Sequence, residues 1–181
     1  MPTRRVVTGE VGGKAVFTID ETVDDIHVGL MPGAEIARVY GNNHLALPTD
    51  GRENDTHNYF PEPGGAAVYI ITLPPDPKSP PAKPEAMAPL IAEVNAKLPG
   101  LLEAMSDDGS FTHRTDTVDI VTILSGRIVI ELAGGASKDL NPGDVVIQNG
   151  TRHRWRNPYD APCTLHTVSI GVARSSAGDA N

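Results

Sequence analysis

The second half of this chain is a series of short β-branched segments, each closed by a glycine turn, and this punctuation restricts what it can fold into. Residues 118–124, 127–132, 144–148 and 164–170 are rich in Val, Ile and Thr, which suit a pleated, half-buried surface. Between them stand Ser125-Gly126, Gly134-Gly135, Asn141-Pro142-Gly143 and Asn149-Gly150, the residue pairs that tight turns favour. Strands spaced this evenly predict an all-β sandwich or barrel.

The first half carries the same signal less regularly. Alternating runs at 5–8, 14–19, 37–40 and 66–73 are separated by Gly, Pro, Asn and Asp and predict strands joined by turns. Pro74, Pro75, Pro77, Pro80, Pro81 and Pro84 then remove too many N–H donors for a helix or a central strand, so 74–84 is predicted as an extended surface linker. After it, Met87, Leu90, Ile91, Val94 and Leu98 recur at helical spacing. They predict a helix over 85–98 with Leu90, Ile91, Val94 and Leu98 buried, a break at Pro99-Gly100, and a short helical turn carrying Leu101, Leu102 and Met105. This insertion, about 84–105, must bury its apolar stripe against the barrel or across its mouth as a lid. The small polar residues 173–181 are expected to be a disordered tail.

Composition limits the partners. A chain of 181 residues, 39% hydrophobic, is enough for one domain over 1–181 with a sizeable core. A net charge of −8 repels a phosphate backbone, and Arg152, Arg154 and Arg156 form the one short basic run, so nucleic acid is not expected. No apolar window approaches the ~20 residues of a membrane span and the N-terminus lacks a signal-peptide core, so no membrane partner is expected and the expected address is cytoplasmic. A single cysteine, Cys163, allows neither an internal disulfide nor a Cys-rich zinc site.

The residues able to do chemistry gather in His113-Arg114-Thr115-Asp116-Thr117-Val118-Asp119 and His153-Arg154-Trp155-Arg156-Asn157. If a strand runs unbroken from 113 to 119, alternation places His113, Thr115, Thr117 and Asp119 on one face and Arg114 and Asp116 on the other. A small barrel can then bring His113, Asp119 and His153 together.

These motifs resemble those of the cupin superfamily. Aligned on Gly126, the first cupin motif puts its first histidine at His113, its second at Thr115 and its glutamate at Asp119. The second runs from Gly143 through Gly150 to His153 and Asn157, with Gln148 where proline is common. The resemblance implies a jelly-roll β-barrel, its motifs at about 109–171, with an N-terminal strand extension, a small-molecule substrate inside, and a homodimer. It also implies a divalent metal such as Fe, Mn, Zn or Ni, although Thr115 is a poor ligand and Asp119 is a methylene shorter than glutamate.

Three functions stay open. The leading one is a lyase or isomerase acting on a small carbonyl or carboxylate compound, with His113 and His153 moving protons or ligating metal and Asp119 orienting them or serving as third ligand. The second is a non-haem iron-dependent dioxygenase that uses the same three residues as ligands. The third is a non-catalytic small-molecule binding module. Thr115, Trp155, His166 and Tyr40 are candidate substrate-binding residues; His44, His57 and Tyr59 are candidates to cover the mouth. Asn157 is expected to hold the turn at Pro158.

Overall fold

Eleven strands and one helix are defined in the computed structural model, which describes residues 2–52, 58–78, 84–106 and 110–175. The N-terminal part contributes β1 (Thr3–Val11), β2 (Lys14–Val23), β3 (Asp25–Ile26), β4 (Glu35–Asn42) and β5 (Ala66–Leu73), followed by α1 (Pro84–Lys97). The C-terminal part contributes β6 (Thr117–Ser125), β7 (Ile128–Leu132), β8 (Ser137–Leu140), β9 (Val145–Asn149), β10 (His153–Arg156) and β11 (Cys163–Gly171). All the pairings are antiparallel: a six-stranded sheet in the order β3-β4-β5-β11-β6-β9, a three-stranded sheet β10-β7-β8, and a separate hairpin β1-β2.

The two larger sheets face each other across a shared core. Val121 and Ile123 of β6 and Cys163 and Leu165 of β11 pack with Ile128 and Ile130 of β7 and Leu140 of β8. Gly126 makes the β6-β7 turn at φ 74°, and a Cβ there would lie 2.3 Å from the Pro162 carbonyl oxygen, so only glycine fits. A second cluster joins Val28, Ile36, Tyr59, Ala67 and Tyr69 to Val94, Leu98 and Leu101, and Ile71 touches both clusters.

Helix α1 belongs to that second cluster. Val94 and Leu98 are fully buried, as the apolar spacing predicts, while Ile91 remains 40% exposed and Leu90 half-buried. The periodicity overstated the buried stripe because the helix meets the sheet through its last two turns. There, Lys97 Nζ donates to the His27 carbonyl at 2.8 Å and Glu93 accepts from the Gly29 N–H at 2.8 Å. Among the described residues of α1 none lines the cavity described below, and Val94 and Leu98 pack into the second cluster as support for its wall. A further correction concerns the C-terminus. Arg174 is pinned to the body by a 2.5 Å ion pair with Asp116 and by bonds to the Thr115 and Gly150 carbonyls, whereas 176–181 lie outside the described residues.

Leu98→Ala should therefore cost about 2–5 kcal/mol, as deletion of fully buried leucine methyls does. Ile91→Ala should change stability by under about 0.5 kcal/mol. Urea unfolding of the two variants checks this, and equal losses would return Ile91 to the core.

Candidate functional site

A cavity of about 580 Å³ opens between the two sheets, within the size range of small-molecule sites. Most of its wall is apolar. Ile36, Tyr69, Ile71 and Leu73 come from β4 and β5, Phe60 from the preceding loop, Leu101 and Met105 from beyond the helix, and Trp155 from β10. Its polar lining includes His113, His153, Asp119, Thr167 and Ser169.

The histidines meet through their backbones. His113 is not on a strand that continues to Asp119, because β6 begins only at Thr117. Instead His113 forms an isolated bridge with His153, the N–H of each donating to the carbonyl of the other at 2.8 and 3.0 Å. Their rings stand 4.2 Å apart at 55°, and Trp155 meets His153 edge-on at 6.0 Å. The His113 Nδ1 lies 3.1 Å from the Phe111 carbonyl and the His153 Nδ1 lies 2.9 Å from the Thr151 carbonyl. A carbonyl only accepts, so both Nδ1 atoms carry the proton and both Nε2 atoms keep a lone pair. Phe111 holds φ 57°, a left-handed conformation that costs a bulky residue about 1–2 kcal/mol, and its carbonyl is the one that fixes His113.

Burial sets the charges. It pushes the His113 imidazole down from 6.5 to about 4, with the neighbouring His153 adding to the effect, and it lowers His153 as well. It raises the Asp119 carboxyl, against hydrogen bonds from Ser169 and Thr117 and the opposing charge of His113. Asp119 is only 6% exposed, and its Oδ1 has no hydrogen-bond partner. Both histidines are thus neutral at pH 7, and the acid is drawn toward its protonated form.

Not every residue singled out in the sequence reaches the cavity. Thr115 points into a buried hydroxyl pair with Thr117 at 2.7 Å, because the chain breaks its alternation before β6. The expected substrate-binding role of His166 is not met, because its side chain is on the outer face of β11, where the inward positions are Leu165, Thr167 and Ser169. Tyr40 follows a register shift in β4 and stays outside the lining, and His44 lies in the loop after β4. His57 lies outside the described residues. Trp155 and Tyr59 do line the cavity. Tyr59 is stacked on Tyr69 at 4.5 Å, and burial, with the charges of Tyr69 and Asp119, keeps its hydroxyl protonated. Asn157 holds its turn, donating to the Leu73 and Ala161 carbonyls and accepting from Tyr159 N–H.

Sequence reasoning missed Ser169 and the ion network at one wall, where Arg154 and Arg156 are among the residues around the cavity. Glu131 bridges both guanidinium groups, at 2.7 and 3.3 Å, and Asp76 lies 3.6 Å from Arg156.

The implied metal does not fit this arrangement. Among the described residues no group of three His, Cys, Asp or Glu side chains is placed to hold an ion. The two imidazole Nε2 atoms are suitable donors, but a carboxyl drawn toward protonation is a poor third ligand.

Residues 102–170, which include both histidines and Asp119, match the cupin domain family called Cupin_2. The protein has a mostly β cupin fold with one helix before the cupin domain. Among curated relatives, it is 46% identical over 46 residues to oryzines biosynthesis cluster protein J of Aspergillus oryzae, a stretch covering 25% of this chain and 26% of that protein. It is 40% identical over 48 residues to the cupin-domain-containing oxidoreductase srdB of Neurospora crassa, covering 26% of this chain and 24% of that protein. The matched stretch thus spans about a quarter of the length of these relatives. Among solved structures, the Cnp3 cupin domain of Schizosaccharomyces pombe aligns over 93% of this chain and 87% of that one, with TM-score 0.47 and 9% identity. No helix among the described residues is long and apolar enough to cross a membrane.

The lowered histidines make stability fall in acid. Between pH 6.5 and about 4 the unfolded His113 holds a proton that the folded one refuses, so stability is lost as pH drops through that window. Asp119, raised, acts in the opposite sense above the ordinary carboxylate range. Thermal unfolding at pH 7 and pH 5 should show a drop in Tm that shrinks in His113→Asn. An undiminished drop would show that His113 titrates normally.

Proposed function

We propose that this cupin is a lyase- or isomerase-type enzyme that moves a proton next to a carbonyl group, with His113 as base and Asp119 as acid. The observation that carries the reading is the pair of imidazoles fixed with Nδ1 protonated and Nε2 free, beside a buried carboxyl raised toward its neutral form. In the resting site His113 is uncharged, and burial favours the uncharged form of Asp119. His113 Nε2 takes the proton from the carbon next to the carbonyl, the C–H electron pair becomes the new C=C bond, and Asp119 gives its proton to the carbonyl oxygen. The result is an enol beside an imidazolium–carboxylate pair, whose mutual attraction offsets the separation of charge. Return of the proton at another carbon completes an isomerisation; loss of a leaving group completes an elimination. His153 stacks the base in place through the backbone bridge.

The name of the curated oxidoreductase relative favours a redox reading as the alternative. That reading needs a metal or cofactor for which the three residues, as arranged, do not form a ligand group.

Incubation with small ketones and aldehydes in D₂O, followed by mass spectrometry, tests the proposal without knowledge of the natural substrate. Enzyme-dependent deuterium uptake next to the carbonyl is expected. It should fall by about 100-fold or more in His113→Ala and in Asp119→Asn, the usual scale of a general acid–base group. The double change His113→Ala with His153→Ala should cost little more than His113→Ala alone, since residues that act as a unit are not additive. Full exchange in the double variant would eliminate the site.

We also propose that the chain assembles as a homodimer. Ile120, Leu124, Val145, Ile147 and Ile170 are all exposed on the outward face of the six-stranded sheet, and contiguous exposed apolar side chains of this kind mark association surfaces. Sedimentation should give twice the chain mass, falling to the monomer mass in Ile147→Lys. A monomeric wild type overturns this.

A further inference from the structure

We propose that the cavity takes an uncharged, largely hydrocarbon carbonyl compound, an aryl or alkyl ketone or aldehyde, and rejects carboxylates and phosphates. The inference rests on the acid–base reading for which end of the ligand reacts; its charge and body follow from the lining alone.

The body is set by the walls. Leu30, Ile36, Phe60, Leu101, Met105 and Trp155 surround most of the space, and each gains about 25 cal/mol for every Å² of apolar surface that a ligand covers. A sugar or a polyol would leave its hydroxyls facing these side chains with nothing to bond, at a cost for each.

The charge is set by what the cations already hold. Among the described residues the lining contains two permanent cations, Arg154 and Arg156. Glu131 engages both, at 2.7 and 3.3 Å, and Asp76 faces Arg156 at 3.6 Å. An entering anion must displace one of these carboxylates or remain unpaired in a cavity that also holds Asp119. The two histidines give it no help, since both stay neutral. A neutral carbonyl oxygen meets none of these penalties. It also answers the one buried polar atom of the lining left without a partner, Asp119 Oδ1, which in the protonated carboxyl can donate a hydrogen bond to it.

Benzylacetone and hydrocinnamate test the proposal as a matched pair, since they differ only by a methyl group in place of a carboxylate oxygen. In isothermal titration of the full chain, benzylacetone should bind at least about tenfold more tightly than hydrocinnamate. Glu131→Gln lies outside the lining and leaves a guanidinium free, so it should raise hydrocinnamate affinity severalfold while benzylacetone affinity holds; a thermal melt confirms that the variant is folded. Equal binding of the pair, tighter binding of hydrocinnamate, or no saturable binding of benzylacetone overturns the proposal. An unchanged hydrocinnamate affinity in Glu131→Gln overturns it too, because the occupied guanidinium would then not be the barrier. The deuterium assay separates this outcome from that of the enzymatic reading. Benzylacetone bound without exchange sinks the acid–base chemistry and leaves the substrate class standing, whereas exchange on an acidic ketone bound as tightly as benzylacetone does the reverse.

Discussion

The reciprocal backbone bridge between His113 and His153 is the constraint on which the site depends. Two hydrogen bonds of 2.8 and 3.0 Å tie the segment after the helix to β10, an edge strand of the smaller sheet. Residues directly opposed in an antiparallel bridge carry their side chains to the same side, so two imidazoles on this bridge must lie together. Neighbouring contacts fix the rest. The Arg114 N–H donates to the Ala104 carbonyl, and Arg174 clamps Asp116 and the Thr115 and Gly150 carbonyls, so the chain on the way into β6 is held from both sides. The left-handed Phe111 then turns its carbonyl onto the His113 ring. Each contact is modest alone; together they decide which ring nitrogen faces substrate.

Gathering two histidines and an aspartate at one cavity is tolerable because the surroundings disfavour their charged forms. An ionised carboxylate with an unbonded oxygen would pay a desolvation cost of several kcal/mol in such a place, and a buried imidazolium likewise. Burial moves the acid up and the bases down, so both histidines rest neutral and the carboxyl is drawn toward its neutral form. The same shifts bring the proton affinities of the acid and the bases closer together.

The β-rich character, the strand-turn rhythm of the C-terminal half and the presence of His113, Asp119 and His153 around one cavity were legible because side-chain alternation and turn chemistry are local. The helix end was legible for the same reason, with Leu98 just ahead of Pro99-Gly100. What sequence could not supply was anything depending on a partner distant in the chain. Thr115 fell out of the cavity because the strand starts at Thr117, and His166 because the inward face of β11 is decided by its pairing with β5 and β6. Ser169 reaches Asp119 only through that pairing, in which the two residues are directly opposed. Ile91 was read as core because periodicity gives the direction of a stripe but not how far a sheet extends beneath it. The strand Ser137–Leu140 carries a single buried apolar residue and lacked the pattern that marks its neighbours.

The division of the cavity between the two halves of the chain explains why a short match to relatives is compatible with different substrates. Residues 102–170, which match the cupin family, supply both histidines, Asp119 and Ser169. Much of the apolar wall comes from elsewhere: Leu30, Met31 and Ile36, the Tyr59-Phe60 pair, and Tyr69 to Leu73 on β5. β5 is the hinge of this arrangement, since it pairs with β4 on one side and β11 on the other and so carries the N-terminal wall into the same sheet as Asp119's strand. Substitution in the N-terminal wall changes what fits while leaving the bridge and its imidazoles in place. The matched stretch therefore does not by itself shape the cavity, and the substrate of a relative that shares only that stretch does not carry over to this chain.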